Sequence, residues 1–240
     1  LSGALVRNGD AIRFLQNATG QTLINYPTEV VSKFSISEDS PIFPGIMELA
    51  QISAGGSISA AKILNSGIVD IAINWAGGLH HARRSEARGF CYAADCVLGI
   101  LHLLDKHERV MYIDIDIHHG DGVEEAFYTT NRVLTVSFHK YGDGFFPRTG
   151  GIEDIGVEAG TGYSVNVPLQ DGMTDESYVQ LFKTLTNNII EWFKPGAIVL
   201  QCGADSLTGD RIGTFNLTIN GHSECVDHIR KKGLPLLVTG

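Results

Sequence analysis

Little in this sequence of 240 residues points toward a membrane or the secretory pathway. No apolar run approaches the roughly 18 residues that span a bilayer, and no basic-apolar-small leader opens the chain, so an intracellular site of action is expected. Cysteine is sparse: Cys91, Cys96, Cys202 and Cys225 are the 4 in the chain, and none forms a CxxC pair. That spacing argues against a disulfide framework and a structural zinc knuckle, and the thiols are read as reduced. In that setting the glycosylation sequons at Asn17 and Asn216 carry no weight. Positive charge is in deficit, with 18 Lys and Arg against 27 Asp and Glu and a net charge of −9. Such a balance repels a phosphate backbone, which argues against direct nucleic-acid binding and suits a basic peptide better. A surface made acidic only for solubility has the same balance.

What is present is a folded chain. Hydrophobic residues make up 43% and charged residues 19%, and mean hydropathy is +0.05, values of a globular domain. The length fits one α/β domain, taken here as residues 1–240. Five apolar, β-rich runs stand out at 68–75, 109–117, 132–138, 196–202 and 234–238, with helical stretches near 45–66, 90–106, 121–130, 174–194 and 220–232. This alternation predicts an open, mainly parallel sheet with helices on both faces, a three-layer α/β/α architecture whose site lies at the carboxyl ends of the strands. Thr174, with Ser177 nearby, is placed to cap the helix after Asp171-Gly172, and Pro195-Gly196 to end it. The Gly-rich segment 139–162 reads as a long loop between strands. The chain starts with Leu1 and stops at Gly240 just after an apolar run, so both ends read as cut.

The chemistry concentrates in 111–122, MYIDIDIHHGDG. A period of two puts Asp114, Asp116 and His118 on one face of a strand and the isoleucines on the other. Burying two carboxylates without compensation costs several kcal/mol, on the order of a domain's whole stability. A bound cation resolves this, and Asp and His are good zinc ligands in a site that keeps a position open for water. The alternative, pairing with Lys or Arg, finds no basic partner nearby in the sequence apart from the imidazoles. A second group is WAGGLHH at 75–81, where Gly77 and Gly78 permit a tight turn that presents His80 and His81, a pair suited to proton transfer. A third is LQCGADSLTGDR at 200–211, in which Asp205 is nearest the strand end. It could supply a third ligand, or be only a turn.

Taken together, WAGGLHHA at 75–82, GFCY at 89–92, YIDIDIHHGDGVEEAFY at 112–128, VSFHKYG at 136–142, FFPRTG at 145–150 and LQCGADSLTGDR resemble the class I zinc-dependent histone deacetylases, of the arginase/deacetylase fold. The resemblance runs from about residue 26 to the end. It implies hydrolysis of N-acetyl-lysine amides on histone tails, with transcriptional repression in the nucleus. It implies Zn²⁺ held by Asp116, His118 and Asp205, His81 as general base and acid, and His80 as its electrostatic partner. Asp121 would orient His81 and Asp114 would orient His80. Gly89, Phe90, Phe146 and Ile212 would line a narrow acyl-lysine tunnel, with Asp39 binding substrate backbone N–H groups at the rim. K⁺ is implied at Asp114, Asp116 and His118 together with Ser137 and Phe138. Corepressor subunits are the implied partners, with an inositol phosphate near Arg211.

The sequence also departs from that pattern. Arg148 stands where the family usually has Gly, and Arg83-Arg84 replace a usual lysine pair. Residues 1–25 match poorly, and the family's Gly-rich loop with a catalytic Tyr is expected after Gly240, which makes this chain by itself a weak enzyme. Two other amidohydrolase readings remain, an acetylpolyamine deacetylase and a binuclear manganese ureohydrolase. A reading of another class is a catalytically impaired corepressor scaffold.

Overall fold

The structure, a computed structural model, describes residues 39–240. Among these residues six strands form one sheet: β1 (Ile71–Asn74), β2 (Val110–Asp114), β3 (Val133–Lys140), β4 (Ser164–Leu169), β5 (Ala197–Gln201) and β6 (Leu236–Thr239). Their order is β1-β6-β5-β2-β3-β4, and every neighbouring pair is parallel. The connecting helices are α1 (Ile46–Ser66), α2 (Asp95–Leu103), α3 (Asp121–Phe127), α4 (Asp175–Phe193) and α5 (Ile219–Arg230). None of the described helices is long and apolar enough to cross a membrane.

The central strand β2 shows why three layers form. Its alternating side chains go to opposite faces. Met111 and Ile113 join a core with Tyr178, Phe182 and Phe193 of α4 and Cys225 and Ile229 of α5. Val110 and Tyr112 join the other, with Ala61 and Leu64 of α1, Ile100 and Leu103 of α2, and Val123 and Phe127 of α3. Parallel strands covered on both faces are apolar at nearly every position, which is why these runs stand out in the sequence. All four cysteines are free and buried.

The two ends of α4 are set differently. Lys194 takes a left-handed conformation (φ 52) after Phe193 and stops α4 ahead of Pro195. Thr174 occupies the N-cap position with extended backbone, yet its side chain makes no capping bond. Asp175 instead accepts hydrogen bonds from the Thr218 N–H (2.8 Å) and hydroxyl (2.5 Å), tying the starts of α4 and α5 together.

Two differences from the sequence reading matter for the site. Strand β4 was not among the five expected runs, because Asn166 and Pro168 dilute its apolar character. It lies at the sheet's edge, pairing only with β3, where proline is tolerated. Strand β2 ends at Asp114 rather than at residue 117, so Asp116 and His118 lie on a loop.

Candidate metal centre

That loop is shaped by its own carboxylates. Asp114 Oδ1 accepts the Asp116 N–H at 3.1 Å, and Asp116 Oδ1 accepts the His118 N–H at 2.7 Å. Each aspartate bonds backbone two residues on, a local turn that takes the chain off the sheet. Ile115 and Ile117 remain in the apolar core, so the polar side chains keep the opposite side. Asp205 arrives on a short 3-10 turn, Ala204–Ser206, just beyond β5. Its Oδ1 accepts the Ile117 N–H at 2.9 Å, which fastens the two loops to each other.

Asp116, His118 and Asp205 thereby offer one ligand atom each, all within 4.8 Å of one another. His118 Nδ1 lies 3.0 Å from Asp116 Oδ1 and 2.8 Å from Asp205 Oδ2. An ion with bonds of about 2 Å reaches all three, and one imidazole with two carboxylates is a donor set that transition metals accept. Burial opposes the charge on His118, but the two carboxylates raise its pKa to about 9. Burial also works against Asp116, yet His80 and His118 hold it below the usual carboxylate range. Asp205 is pushed up, by burial and then by Asp116 beside it. A cation bound among these donors would take the place of the proton on His118.

The histidine pair faces this group from β1. Gly78 turns the chain with φ 89, and a Cβ there would fall 1.6 Å from the Gly240 carbonyl oxygen, so only glycine fits. Asp95 holds the turn by accepting the N–H groups of Gly78 (3.1 Å) and Leu79 (2.8 Å). His80 Nδ1 donates to Asp114 at 2.8 Å and His81 Nδ1 to Asp121 at 2.7 Å, while His80 Nε2 faces Asp116 Oδ2 at 3.8 Å. The rings are 3.9 Å apart, and His81 lies 5.9 Å from the His118 ring, centroid to centroid. Burial disfavours the charge on both, with different results. Asp114 and Asp116 lift His80 to about 10. His81 falls to about 4 through burial and its neighbour His80, against the pull of Asp121. The two imidazoles are thus pushed in opposite directions, His80 up and His81 down, an arrangement suited to moving protons.

A histone deacetylase domain model matches residues 7–238. Over 231 residues, 96% of this chain, the sequence is 57% identical to type-1 histone deacetylase 1 of Dictyostelium discoideum, covering 46% of that protein. It is 56% identical to histone deacetylase 9 of Arabidopsis thaliana, covering 54% of it, and 55% identical to histone deacetylase 1 of Homo sapiens, covering 48%. The chain belongs to the histone deacetylase family. It spans about half the length of these curated relatives.

In this family member Gly89 and Phe146, two of the residues expected at the tunnel, lie next to His81. A Cβ on Gly89 would lie 2.6 Å from the His81 ring and 3.0 Å from that of Phe146. Phe146 stands edge-on to His81 at 4.9 Å. Asp39 accepts the Gly89 N–H at 3.2 Å. Phe90 follows with φ 67 and is 64% exposed, as a residue at an opening would be. Ile212 is also exposed. Its neighbour Gly213 packs so close to the Asp205 carbonyl that a Cβ would lie 1.8 Å away. Ser137 pairs with Asp114 across β2 and β3, and its hydroxyl approaches the Gly120 N–H at 3.4 Å. Phe138 faces the opposite core, against Tyr178 and Phe182.

Sequence reasoning missed several members of this site. It found no basic partner for the acidic cluster, whereas Asp121 Oδ2 accepts from both Arg83 (2.8 Å) and Arg88 (3.0 Å). These arginines lie more than 30 residues away along the chain and are brought in by the loop after His81. Burial works against Asp121, but His81 and the arginines hold its pKa well below the usual range. Tyr112 donates to Asp114 at 2.7 Å, and the same period of two that grouped the aspartates could have found it. Phe145 stacks on His118 at 5.1 Å and 8°. Gln201 donates to Asp116 Oδ2 at 3.3 Å.

Proposed function

We propose that the protein hydrolyses N-acetyl-lysine amides on histone tails, as the names of its relatives describe. The observation that carries this reading is the convergence of Asp116, His118 and Asp205 next to a neutral, carboxylate-held His81. The described chain acts as one catalytic domain. The metal is Zn²⁺, favoured by an imidazole and two carboxylates with no further Asp, Glu, His or Cys ligand grouped with them among the described residues. When bound, it would supply a Lewis acid for the acetyl carbonyl and the attacking water.

The side chains do the rest. His81 Nε2 takes a proton from water as its oxygen adds to the acetyl carbon, then returns that proton to the lysine nitrogen as the C–N bond breaks. The products are acetate and the free amine. Asp121 fixes the tautomer of His81, and Asp114 holds the ring of His80, whose positive charge favours the negative charge developing on the carbonyl oxygen. Gly89, Phe90, Phe146 and Ile212 line the passage for the lysine stem, and Asp39 binds the backbone of the peptide at its rim. K⁺ would be held by oxygens of Asp114, Asp116, His118, Ser137 and Phe138, in keeping with the preference of hard cations for oxygen.

The site of action is the nucleus, the effect is transcriptional repression, and the partners are basic histone tails and corepressor subunits. Exposed Arg211 is the contact for an inositol phosphate at that interface. The test is turnover of an acetyl-lysine histone peptide by the full-length protein, before and after metal stripping and zinc return. Loss on stripping and recovery with one zinc per chain is expected. Absence of turnover with zinc bound would favour the scaffold reading, and two metals per chain would favour a binuclear amidohydrolase.

A further inference from the structure

Arg88 touches three parts of the site at once. Its backbone opens one wall of the passage: it exchanges N–H···O bonds with Cys91 (3.0 and 2.9 Å), forming the short loop that carries Gly89 and Phe90. Its side chain crosses to the other wall. There Nη2 donates to the Pro147 carbonyl at 3.2 Å, and the guanidinium carbon sits 5.2 Å from the centre of the Phe146 ring. Nη1 meanwhile donates to Asp121 Oδ2 at 3.0 Å. The side chain is 27% exposed, so these contacts are only partly screened by water. A planar guanidinium suits this task, because it can donate in two directions and lie against an aromatic ring at once.

We propose that Arg88 is a positioning residue that ties the Phe146–Pro147 wall to the Gly89–Phe90 wall, and so sets how tightly the passage grips the lysine stem. The inference rests on the deacetylase reading for its substrate. Arg83 provides the internal comparison. It shares Asp121 Oδ2 with Arg88, but its other ion pairs go to Glu86 and Glu125 and not to the wall. With Arg88 removed, Asp121 keeps Arg83, while Pro147 and Phe146 lose the cation that holds them. The two arginines should therefore separate in kinetics, Arg88 acting on substrate binding and Arg83 on the orientation of the base.

The test compares Arg88→Ala, Arg88→Lys and Arg83→Ala in the zinc-supplemented full-length protein, using an acetyl-lysine peptide. Arg88→Ala should raise KM on the order of ten-fold, the scale of one lost charge-assisted hydrogen bond, and raise KM by more than it lowers kcat. Arg88→Lys keeps the charge but not the fork, so it should recover only part of that loss. Arg83→Ala should lower kcat more than it raises KM. Equal KM effects from Arg83→Ala and Arg88→Ala, or a KM within about two-fold of wild type in both Arg88 variants, would overturn the proposal. If the wild type itself shows no turnover, the deacetylase reading fails, and the tie is judged by NMR of ring-labelled phenylalanine. Arg88→Lys should then shift the Phe146 ring signals and speed ring flipping while Arg83→Lys does not, and unchanged Phe146 signals would overturn it. The same NMR comparison decides if Arg88→Ala fails to fold.

Discussion

The Nδ1 of His81 lies 2.7 Å from Oδ1 of Asp121, although 40 residues separate them in the chain. The other oxygen of Asp121 is taken by two arginines, so the carboxylate is held from both sides and presents a fixed acceptor to the imidazole. Asp121→Asn keeps the shape but removes the charge, and its NH₂ can face the Nδ1–H it should accept. Turnover should fall on the order of 10²-fold or more, toward the loss seen when a general base is removed. Metal content, measured by elemental analysis, should not change. A variant with near-normal turnover would show that the carboxylate does not orient His81.

Proton transfer and metal binding should separate by mutation. His81→Ala should retain the metal and lose on the order of 10²–10⁴ in rate. Asp205→Ala should lose the metal, because it removes one of three ligands and leaves His118 to a single carboxylate. Parallel loss of metal and rate in both variants would make His81 a ligand or a structural group.

Stability should depend on His139. Its ring is buried between the Ser137 hydroxyl (2.9 Å) and the Gly150 carbonyl (2.8 Å), and burial together with His119 lowers its pKa to about 3. The unfolded chain binds a proton near pH 6.5, while the folded chain resists it. The contribution of the neutral ring is therefore complete above pH 6.5 and is lost as pH falls toward 3, by up to about 1.4 kcal/mol per pH unit. Urea unfolding of wild type and His139→Gln between pH 7 and 5 checks this. The wild type should lose stability more steeply, and identical slopes would rule His139 out.

Arg148 takes φ 71, a left-handed conformation that costs a side chain about 1–2 kcal/mol. It is exposed, and its side chain donates to the Gly144 carbonyl at 3.3 Å. Arg148→Gly should raise stability by roughly 1 kcal/mol, read as a higher urea midpoint at unchanged slope. A lower midpoint would mean that the side chain stabilises the loop through contacts worth more than the strain.

The metal group was legible early because its signal is local. Asp114, Asp116 and His118 are close in sequence, and a charge cluster at the end of an apolar run has few physical explanations. The histidine pair was legible for a similar reason, since Gly77 and Gly78 announce a turn at a strand end. Arg83 and Arg88 were not, because their partner Asp121 lies more than 30 residues away and a basic run on a loop ordinarily faces solvent. Strand β4 escaped because Asn166 and Pro168 interrupt its pattern, and only its edge position makes that tolerable.

The sequence by itself determined the parallel α/β order, the strand ends where ionisable side chains gather, and the Asp and His types suited to holding a metal and moving protons. These follow from apolar periodicity and from the cost of burying charge, and neither depends on long-range geometry. Only the tertiary structure decided that Asp205 meets His118 at 2.8 Å, that His80 is pushed up and its neighbour His81 down, and that Arg88 reaches Asp121, Pro147 and Phe146 together. Those outcomes depend on the register of β2 with β5 and β3 and on how the loops beyond them fold back. Such relations are set by packing between segments far apart in the chain, where no local spacing records them.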